Sequence, residues 1–190
     1  VSRLASGRRV IGIIRPLADQ WFYAKAAFTA EIVLTTAGYD VIRYSVDNEQ
    51  IQSQVLSRLI NRRIVDGLII STLALTTENI RLLQQAKLPT VTIETQTAEF
   101  TGVVIDNEEA GKLATRHLIN LGHRRIGIIT GLDNDPLHFT VPHARTAGYR
   151  TALSEEDIEW RAEYEVPGNY SYEGGADAMK QLFSLHHPPT

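Results

Sequence analysis

The stretch LGHRRIGIITG, residues 121–131, decides the fold class because it joins the end of a helix to the start of a buried strand. Leu113, Leu118 and Leu121 keep helical spacing up to this point. Gly122 can adopt the left-handed conformation that ends a helix. The basic residues after it suit the negative end of that helix, and the isoleucine-rich run is typical of a strand covered on both faces. The stretch therefore predicts half of a β-α-β unit.

Strand-like and helix-like segments alternate before this stretch. The strand-like segments are 10–14, 39–45, 68–70, 91–93 and 102–105. Apolar residues at helical spacing lie between them, and short connections separate the two kinds of segment. This pattern predicts an α/β fold with a doubly wound parallel sheet, in which ligands bind beyond the carboxyl ends of the strands.

Polar residues ahead of the helical segments predict where those helices begin. Asp47 or Asn48 is expected to cap the second helix, Thr77 the third and Asn107 the fourth. Residues 16–20 are expected to form a loop after the first strand, with the first helix following.

A second unit is expected to start near Arg125. It offers strands at 126–130 and 164–166, and helices around 145–153 and 171–185. Two strands do not make a stable, doubly covered sheet. The second lobe is therefore expected to be incomplete in this sequence.

The composition excludes several classes of function. The chain has 190 residues, a formal net charge of −3 and no cysteine, which excludes disulfides, thiolate catalysis and cysteine-based zinc sites. No apolar run approaches the ~20 residues of a membrane helix, and the polar, basic N-terminus does not resemble a secretory signal. The slightly acidic balance does not predict that this segment itself binds nucleic acid.

The motifs of common enzymes are also missing. The sequence contains no Gly-rich phosphate loop, no G-x-S-x-G elbow and no H-E-x-x-H. Asp133, Asp135, His138 and His143 share one loop that could form an oxygen and nitrogen metal site. Their spacing is not typical of a metal site, so a polar surface loop is favoured. We predict no enzyme activity, no metal and no cofactor; an enzyme on this fold would need an acid/base pair converging in the cleft.

Several motifs in order resemble the lactose-repressor/galactose-repressor family of bacterial transcription regulators. The most specific are VIDNEEAG at 104–111 and LGHRRI at 121–126. The others are Ser2–Arg8, Ile11–Ile14 followed by Phe22 and Tyr23, Val65–Ile70, Arg145–Tyr149 and Gly168–Gly175.

The resemblance implies a periplasmic-binding-protein-like core of two doubly wound lobes. Residues 1–9 would be the end of a hinge helix and its linker, 10–123 the N-terminal lobe and 124–190 the first part of the C-terminal lobe. A small effector, a sugar or nucleoside, would bind between the lobes of a cytoplasmic homodimer. Lobe closure would then change how a helix-turn-helix headpiece, absent from this sequence, binds operator DNA.

The resemblance also assigns effector contacts. Phe22 and Tyr23 match aromatic positions that cover an apolar face of the ligand. Arg145 matches a ligand-clamping arginine, whose donor fork suits hydroxyl or carboxylate groups. Tyr170 matches an aromatic residue that stacks on the ligand, and Asp106 matches an acid that accepts a hydrogen bond from a hydroxyl.

Further residues complete the expected site. Gln20 and Trp21 stand where the family often has Asn-Pro, and Trp21 would suit stacking on a sugar or nucleobase. Ser71 lies at the carboxyl end of the third strand. Leu4 matches the leucine that enters the minor groove of the operator in this family.

Alternatives remain open at this point. Phe22 and Tyr23 could instead fasten the first helix to the sheet, and Asp106 could only cap the fourth helix. The whole core could belong to a periplasmic sugar-binding protein of a transporter, which shares the fold. The hinge-like residues at the N-terminus favour the regulator.

Overall fold

The computed structural model describes residues 9–17, 21–95, 97–131, 136–137 and 139–190. These residues form two compact units. Unit 1 comprises the described residues up to Val104 together with a short piece, Pro136–Phe139. Unit 2 comprises the remainder, from Ile105 onward.

Unit 1 is built on one parallel sheet, as predicted. The strand order is β2-β1-β3-β4-β5, and every neighbouring pair is parallel. Its elements are β1 (Val10–Pro16), α1 (Trp21–Thr36), β2 (Asp40–Val46), α2 (Glu49–Asn61), β3 (Gly67–Ser71), α3 (Thr77–Ala86), β4 (Thr90–Ile93) and β5 (Thr101–Val103). The strand order changes direction between β1 and β3, and in such sheets a ligand binds outside the carboxyl ends of the strands at this switch point.

Apolar side chains from the central strands and from two helices form the core of unit 1. Ile14 of β1 and Ile70 of β3 are almost completely buried, as are Leu56 of α2 and Leu83 of α3. This core holds the carboxyl ends of β1 and β3 in place.

Side-chain caps begin three of the helices at or near the expected residues. The carboxamide of Asn48 accepts the Ile51 N–H at 2.9 Å. Thr76, not Thr77, caps α3 by accepting the Asn79 N–H at 3.1 Å. Asp106, not Asn107, caps the next helix by accepting the Glu109 N–H at 2.9 Å. In the last two cases the expected residue is already inside the helix, and the capping residue is the one before it.

Unit 2 contains a shorter parallel sheet with the order β6-β7. Its elements are α4 (Asn107–Asn120), β6 (Ile128–Thr130), α5 (Val141–Glu155), a 3₁₀ turn (Ala162–Tyr164), β7 (Glu165–Pro167) and α6 (Tyr172–Phe183).

Helices α4 and α5 pack with their backbones almost in contact. A Cβ atom at Gly111 would overlap the Arg145 carbonyl, and one at Gly148 would overlap the Glu108 carbonyl. This pairing places α4 in unit 2, so the chain passes between the units after Val104. The grouping differs from the boundary expected at residues 123 and 124.

The stretch at 121–131 ends α4 and begins β6 as predicted, but it lies inside unit 2. Gly122 has a φ of 95° and donates to the Ile119 carbonyl, while the His123 N–H donates to the Leu118 carbonyl. These bonds form the glycine-ended Schellman motif. Arg125 contacts the end of the chain: its Nε donates to the Pro188 carbonyl at 2.9 Å.

No helix in the described part of the chain combines the length and apolar character needed to cross a membrane.

Candidate functional site

Backbone strain marks the carboxyl ends of the strands in unit 1. Thr72 follows β3 with a φ of 59°, and Glu94 follows β4 with a φ of 55°. Arg63, Lys87 and Asp157 also have positive φ, but each lies at the end of a helix, where this conformation is common. For a β-branched residue such as Thr72 the conformation costs ~1–3 kcal/mol, and such strain gathers at functional sites.

The same strain occurs at the sheet of unit 2. Asn169 and Tyr170 follow β7 with φ values of 55° and 51°. Both units therefore carry strained residues where the fold predicts ligand binding.

A buried group of hydroxyls holds the strained turn after β3. Thr95 Oγ1 accepts from the Leu73 N–H at 3.2 Å and donates to the Leu73 carbonyl at 3.0 Å. Ser71 is fully buried, with its Oγ 3.3 Å from Thr72 Oγ1. Ser71 thus lies at the predicted edge, but its side chain packs inside unit 1.

The aromatic residues after β1 lie in the first turn of α1. Trp21 is 77% exposed, whereas Tyr23 is 6% exposed. The Tyr23 ring packs against Phe22 at a centroid distance of 6.0 Å and against Phe139 at 5.8 Å. This packing supports the alternative in which Tyr23 fastens α1 to the sheet, and it leaves Trp21 as the accessible aromatic.

In unit 2, Arg145 is held by a neighbour that the sequence did not assign to the site. The Arg145 Nε donates to Asn107 Oδ1 at 2.9 Å. Asn107 Nδ2 donates in turn to the Ile105 carbonyl at 3.2 Å. Asp106, the residue before Asn107, caps α4: its Oδ1 accepts the Glu109 N–H. The close crossing of α4 and α5 brings the two helix starts together.

Tyr170 lies against the end of β6. A Cβ atom at Gly131 would come within 2.5 Å of the Tyr170 ring and 2.8 Å of Pro142, so only glycine fits there. A cavity of about 430 Å³ beside β6 is lined by both Tyr170 and Arg145. Unit 2 therefore brings together two of the expected effector contacts.

A charged cluster on unit 2 fixes α5 to β7. Arg150 forms a bidentate pair with Glu165, which also accepts from Trp160 Nε1 at 2.6 Å. The Arg150 guanidinium lies 4.7 Å from the Trp160 ring centre. Partial burial raises the pKa of Glu165, but the hydrogen bonds from Arg150 and Trp160 outweigh it and lower that pKa below its usual value.

Some expected residues lie outside the described part of the chain. These are Leu4, Gln20, Asp133, Asp135 and His138. His143, the described member of that loop, is exposed on α5. Within the described ranges, no group of three or more His, Asp or Glu side chains could hold a metal ion.

Sequence reasoning missed the role of Asn107 because the residue was assigned to the cap of α4. Gly111 and Gly148 carried a usable signal, since small residues inside two helical segments permit a close crossing. The positive φ values of Thr72 and Glu94 could not be predicted from the sequence, because neither residue type favours that backbone conformation.

Comparison with known proteins identifies the family. The family described as "Periplasmic binding proteins and sugar binding domain of LacI family" matches residues 8–190. The chain belongs to this family. The LacI-family prediction and the periplasmic-binding-protein-like α/β fold, with its five-stranded parallel sheet in unit 1, are thereby confirmed.

Curated relatives of this LacI-family chain are transcriptional regulators. Catabolite control protein A of Priestia megaterium is 31% identical over 185 residues, which cover 95% of this chain and 54% of that protein. The HTH-type transcriptional repressor PurR of Escherichia coli O1:K1 / APEC is also 31% identical over 185 residues, covering 95% and 53%.

Solved structures agree with this assignment. The transcription regulator CcpA of Lactococcus lactis superposes with a TM-score of 0.74 at 26% identity, covering 93% of this chain and 64% of that one. These relatives are regulators and not enzymes, and they favour the regulator over the transporter alternative. The chain spans about half the length of the curated relatives it matches.

Proposed function

We propose that this chain is part of the effector-binding and dimerisation core of a cytoplasmic transcription regulator. The observation that carries the proposal is the shared cavity of Arg145 and Tyr170 in unit 2. Asn107 holds the arginine, and the packing of Tyr170 on Gly131 holds the ring. An arginine fork beside an aromatic ring suits a ligand that has hydroxyl groups around an apolar face.

The effector that this pair favours is a neutral sugar or nucleoside. Asp106 caps α4 and Glu108 and Glu109 lie in its first turn, so three acidic groups are close in sequence to the residue that holds Arg145. These carboxylates disfavour an anionic ligand and can accept hydrogen bonds from hydroxyls. Trp21, exposed at the start of α1, would supply a stacking surface to a ligand that contacts unit 1.

Exposed apolar side chains support a homodimer. Phe28, Ile32 and Val33 of α1 are between 48% and 63% exposed. We propose that a second copy of the protein covers this face of α1. Ile32→Glu should convert the dimer to a monomer in sedimentation experiments, whereas Gln85→Glu, at an exposed position of α3, should leave it dimeric.

The effector would act on operator DNA through a helix-turn-helix headpiece outside this chain, with Leu4 of the hinge entering the minor groove. Binding that favours one arrangement of the lobes would shift the population that is competent for the operator. The two units described here would then be the parts of the two lobes present in this chain.

Thermal-shift screening of the full-length protein tests the proposal. The probes are glucose, ribose, cellobiose, adenosine and hypoxanthine, because a ligand that binds only the native state raises its stability. We expect at least one sugar or nucleoside to raise Tm and to be recovered chemically unchanged. No shift with any probe would contradict the effector class, and turnover of a probe would favour an enzyme.

A further inference from the structure

We infer that Asn107 is a positioning residue that orients Arg145 towards the effector, through the contact between Asn107 Oδ1 and Arg145 Nε. The inference rests on the proposed function, since it concerns the same cavity. It assigns to Asn107 a part in effector selection in addition to its place in helix α4.

Asn107 is not needed to cap α4. Asp106 already accepts the Glu109 N–H, and Asn107 occupies the first position inside the helix. The residue is nevertheless only 7% exposed, and both ends of its carboxamide form hydrogen bonds. A buried carboxamide needs such partners, because each unmet hydrogen bond costs ~1–3 kcal/mol. The side chain is therefore fixed, and it fixes the group that it binds.

The contact depends on the close crossing of α4 and α5. Asn107 and Arg145 are 38 positions apart in the sequence. Gly111, one turn after Asn107, lies against the Arg145 backbone, and Gly148, one turn after Arg145, lies against the Glu108 backbone. The glycines therefore set the distance that the Asn107 contact bridges.

The contact with Asn107 leaves the two terminal nitrogens of the Arg145 guanidinium for a ligand. A guanidinium has five N–H donors in one plane, and Asn107 uses the one on Nε. Arg145 forms no ion pair with another described residue, and the Asn107 carboxamide is neutral. The terminal nitrogens thus keep their donors and their charge, in a plane that Asn107 defines. A planar pair of donors selects ligands with two acceptor oxygens side by side, such as the vicinal hydroxyls of a sugar or ribose.

A double-mutant cycle in the full-length protein separates positioning from a general structural role. The dissociation constant of the probe with the largest thermal shift is measured by calorimetry for wild type, Asn107→Leu, Arg145→Ala and the double variant. We expect Asn107→Leu to weaken binding about tenfold alone, and less than about twofold when Arg145 is already alanine. Equal weakening in both backgrounds would overturn the inference, as would no weakening in either.

Two further variants control for folding. Asn120→Leu changes an exposed asparagine at the other end of α4 and should leave the dissociation constant unchanged. Asn107→Asp keeps an acceptor for Arg145 Nε and should retain binding of the neutral probe to within about threefold. If Asn107→Leu does not fold, Asn107→Asp decides the question, because a loss as large as that of Arg145→Ala would overturn the inference.

A measurement without ligand keeps this inference separate from the proposed function. In ¹⁵N NMR spectra of the free protein, we expect the Arg145 Nε–H to exchange slowly with water in the wild type. In Asn107→Asp the exchange should stay slow, and in Asn107→Leu it should become fast. Equal exchange in wild type and Asn107→Leu would overturn the positioning role even if a probe binds. Absence of binding by every probe would instead contradict the effector proposal alone.

Discussion

The expected effector contacts differ between the two units in how far their side chains are buried and in what they contact. In unit 2, Arg145 and Tyr170 line one cavity, and a polar contact from Asn107 holds the arginine. In unit 1, Tyr23 and Ser71 are buried, and Trp21 alone of the described aromatic trio is largely exposed. The same kind of sequence argument therefore selected side chains that line a cavity in one unit and side chains that are buried in the other.

The difference arises from what holds each region together. Tyr23 packs against other aromatic rings in the apolar core of unit 1. Arg145 and Arg150, on α5 of unit 2, are both held by hydrogen bonds to side chains that are far apart in sequence. We therefore expect unit 1 to respond most to lost packing volume and unit 2 to altered backbone spacing and to pH.

The largest effect is expected where α4 crosses α5. Gly148→Ala should destabilise unit 2 by about 3 kcal/mol or more, because the new methyl group would overlap the Glu108 carbonyl oxygen, so the backbone of α4 or α5 would have to shift. Urea unfolding followed by circular dichroism measures the change. Gly175→Ala in α6 is the matched control: nothing lies within 4 Å of its added Cβ, so it should stabilise by ~0.5–1 kcal/mol. Similar behaviour of both variants would refute the close crossing.

A slightly smaller loss is expected in the core of unit 1. Tyr23→Ala should cost about 3 kcal/mol in the free energy of unfolding, because it removes a buried ring that contacts Phe22 and Phe139. Trp21→Ala, at an exposed position, should cost less than ~0.5 kcal/mol. If Tyr23→Ala left stability unchanged and abolished effector binding, Tyr23 would be a binding residue and the contrast between the units would fail.

The pH dependence of unit 2 follows from Glu165. Its pKa in the folded state is lowered from 4.5, so its ion pair contributes fully above about pH 4.5 and is lost as the pH falls through the lowered value. Glu165→Gln should therefore destabilise by ~1–2 kcal/mol at pH 7, and this difference should shrink as the pH falls below 4.5. Denaturation followed by tryptophan fluorescence across this pH range checks this. A pH-independent difference would contradict the assigned cause.

The smallest effect concerns the cap of α4. Asp106→Ala should cost ~1 kcal/mol, because the Glu109 N–H loses its acceptor, and Asp106→Asn should restore most of this. Thermal unfolding measures both variants. A larger loss of effector affinity in Asp106→Asn than of stability would assign Asp106 to the ligand as well as to the helix.

Much of the fold was predictable because it depends on local patterns. Apolar runs placed the strands of unit 1, and Gly122 marked the end of α4 correctly. The boundary between the units was not predictable from local sequence, because it depends on the contact of Gly111 with the Arg145 backbone. That contact becomes visible only when α4 and α5 are packed.

The sequence predicted where along the chain the candidate site residues lie, but not which of their side chains are exposed. Ser71 ends β3, and Trp21 and Tyr23 lie in the first turn of α1, the helix that follows β1 along the chain. Which of the two aromatic residues faces solvent depends on the phase of α1, which begins at Trp21. The hydrogen-bond partner of Arg145 could not be predicted from the sequence either. Two adjacent residues, Asp106 and Asn107, both suited the cap of α4, so neither could be assigned to Arg145.

Calorimetric titration of the full-length protein tests the central claim most directly. With the probe that gives the largest thermal shift, Arg145→Ala should bind about thirtyfold or more weakly than wild type, with circular dichroism confirming that the free variant is folded. Arg116→Ala, an arginine on α4 paired with Glu155, should bind within about twofold of wild type. Equal dissociation constants for wild type and Arg145→Ala would contradict the assignment of this cavity to the effector.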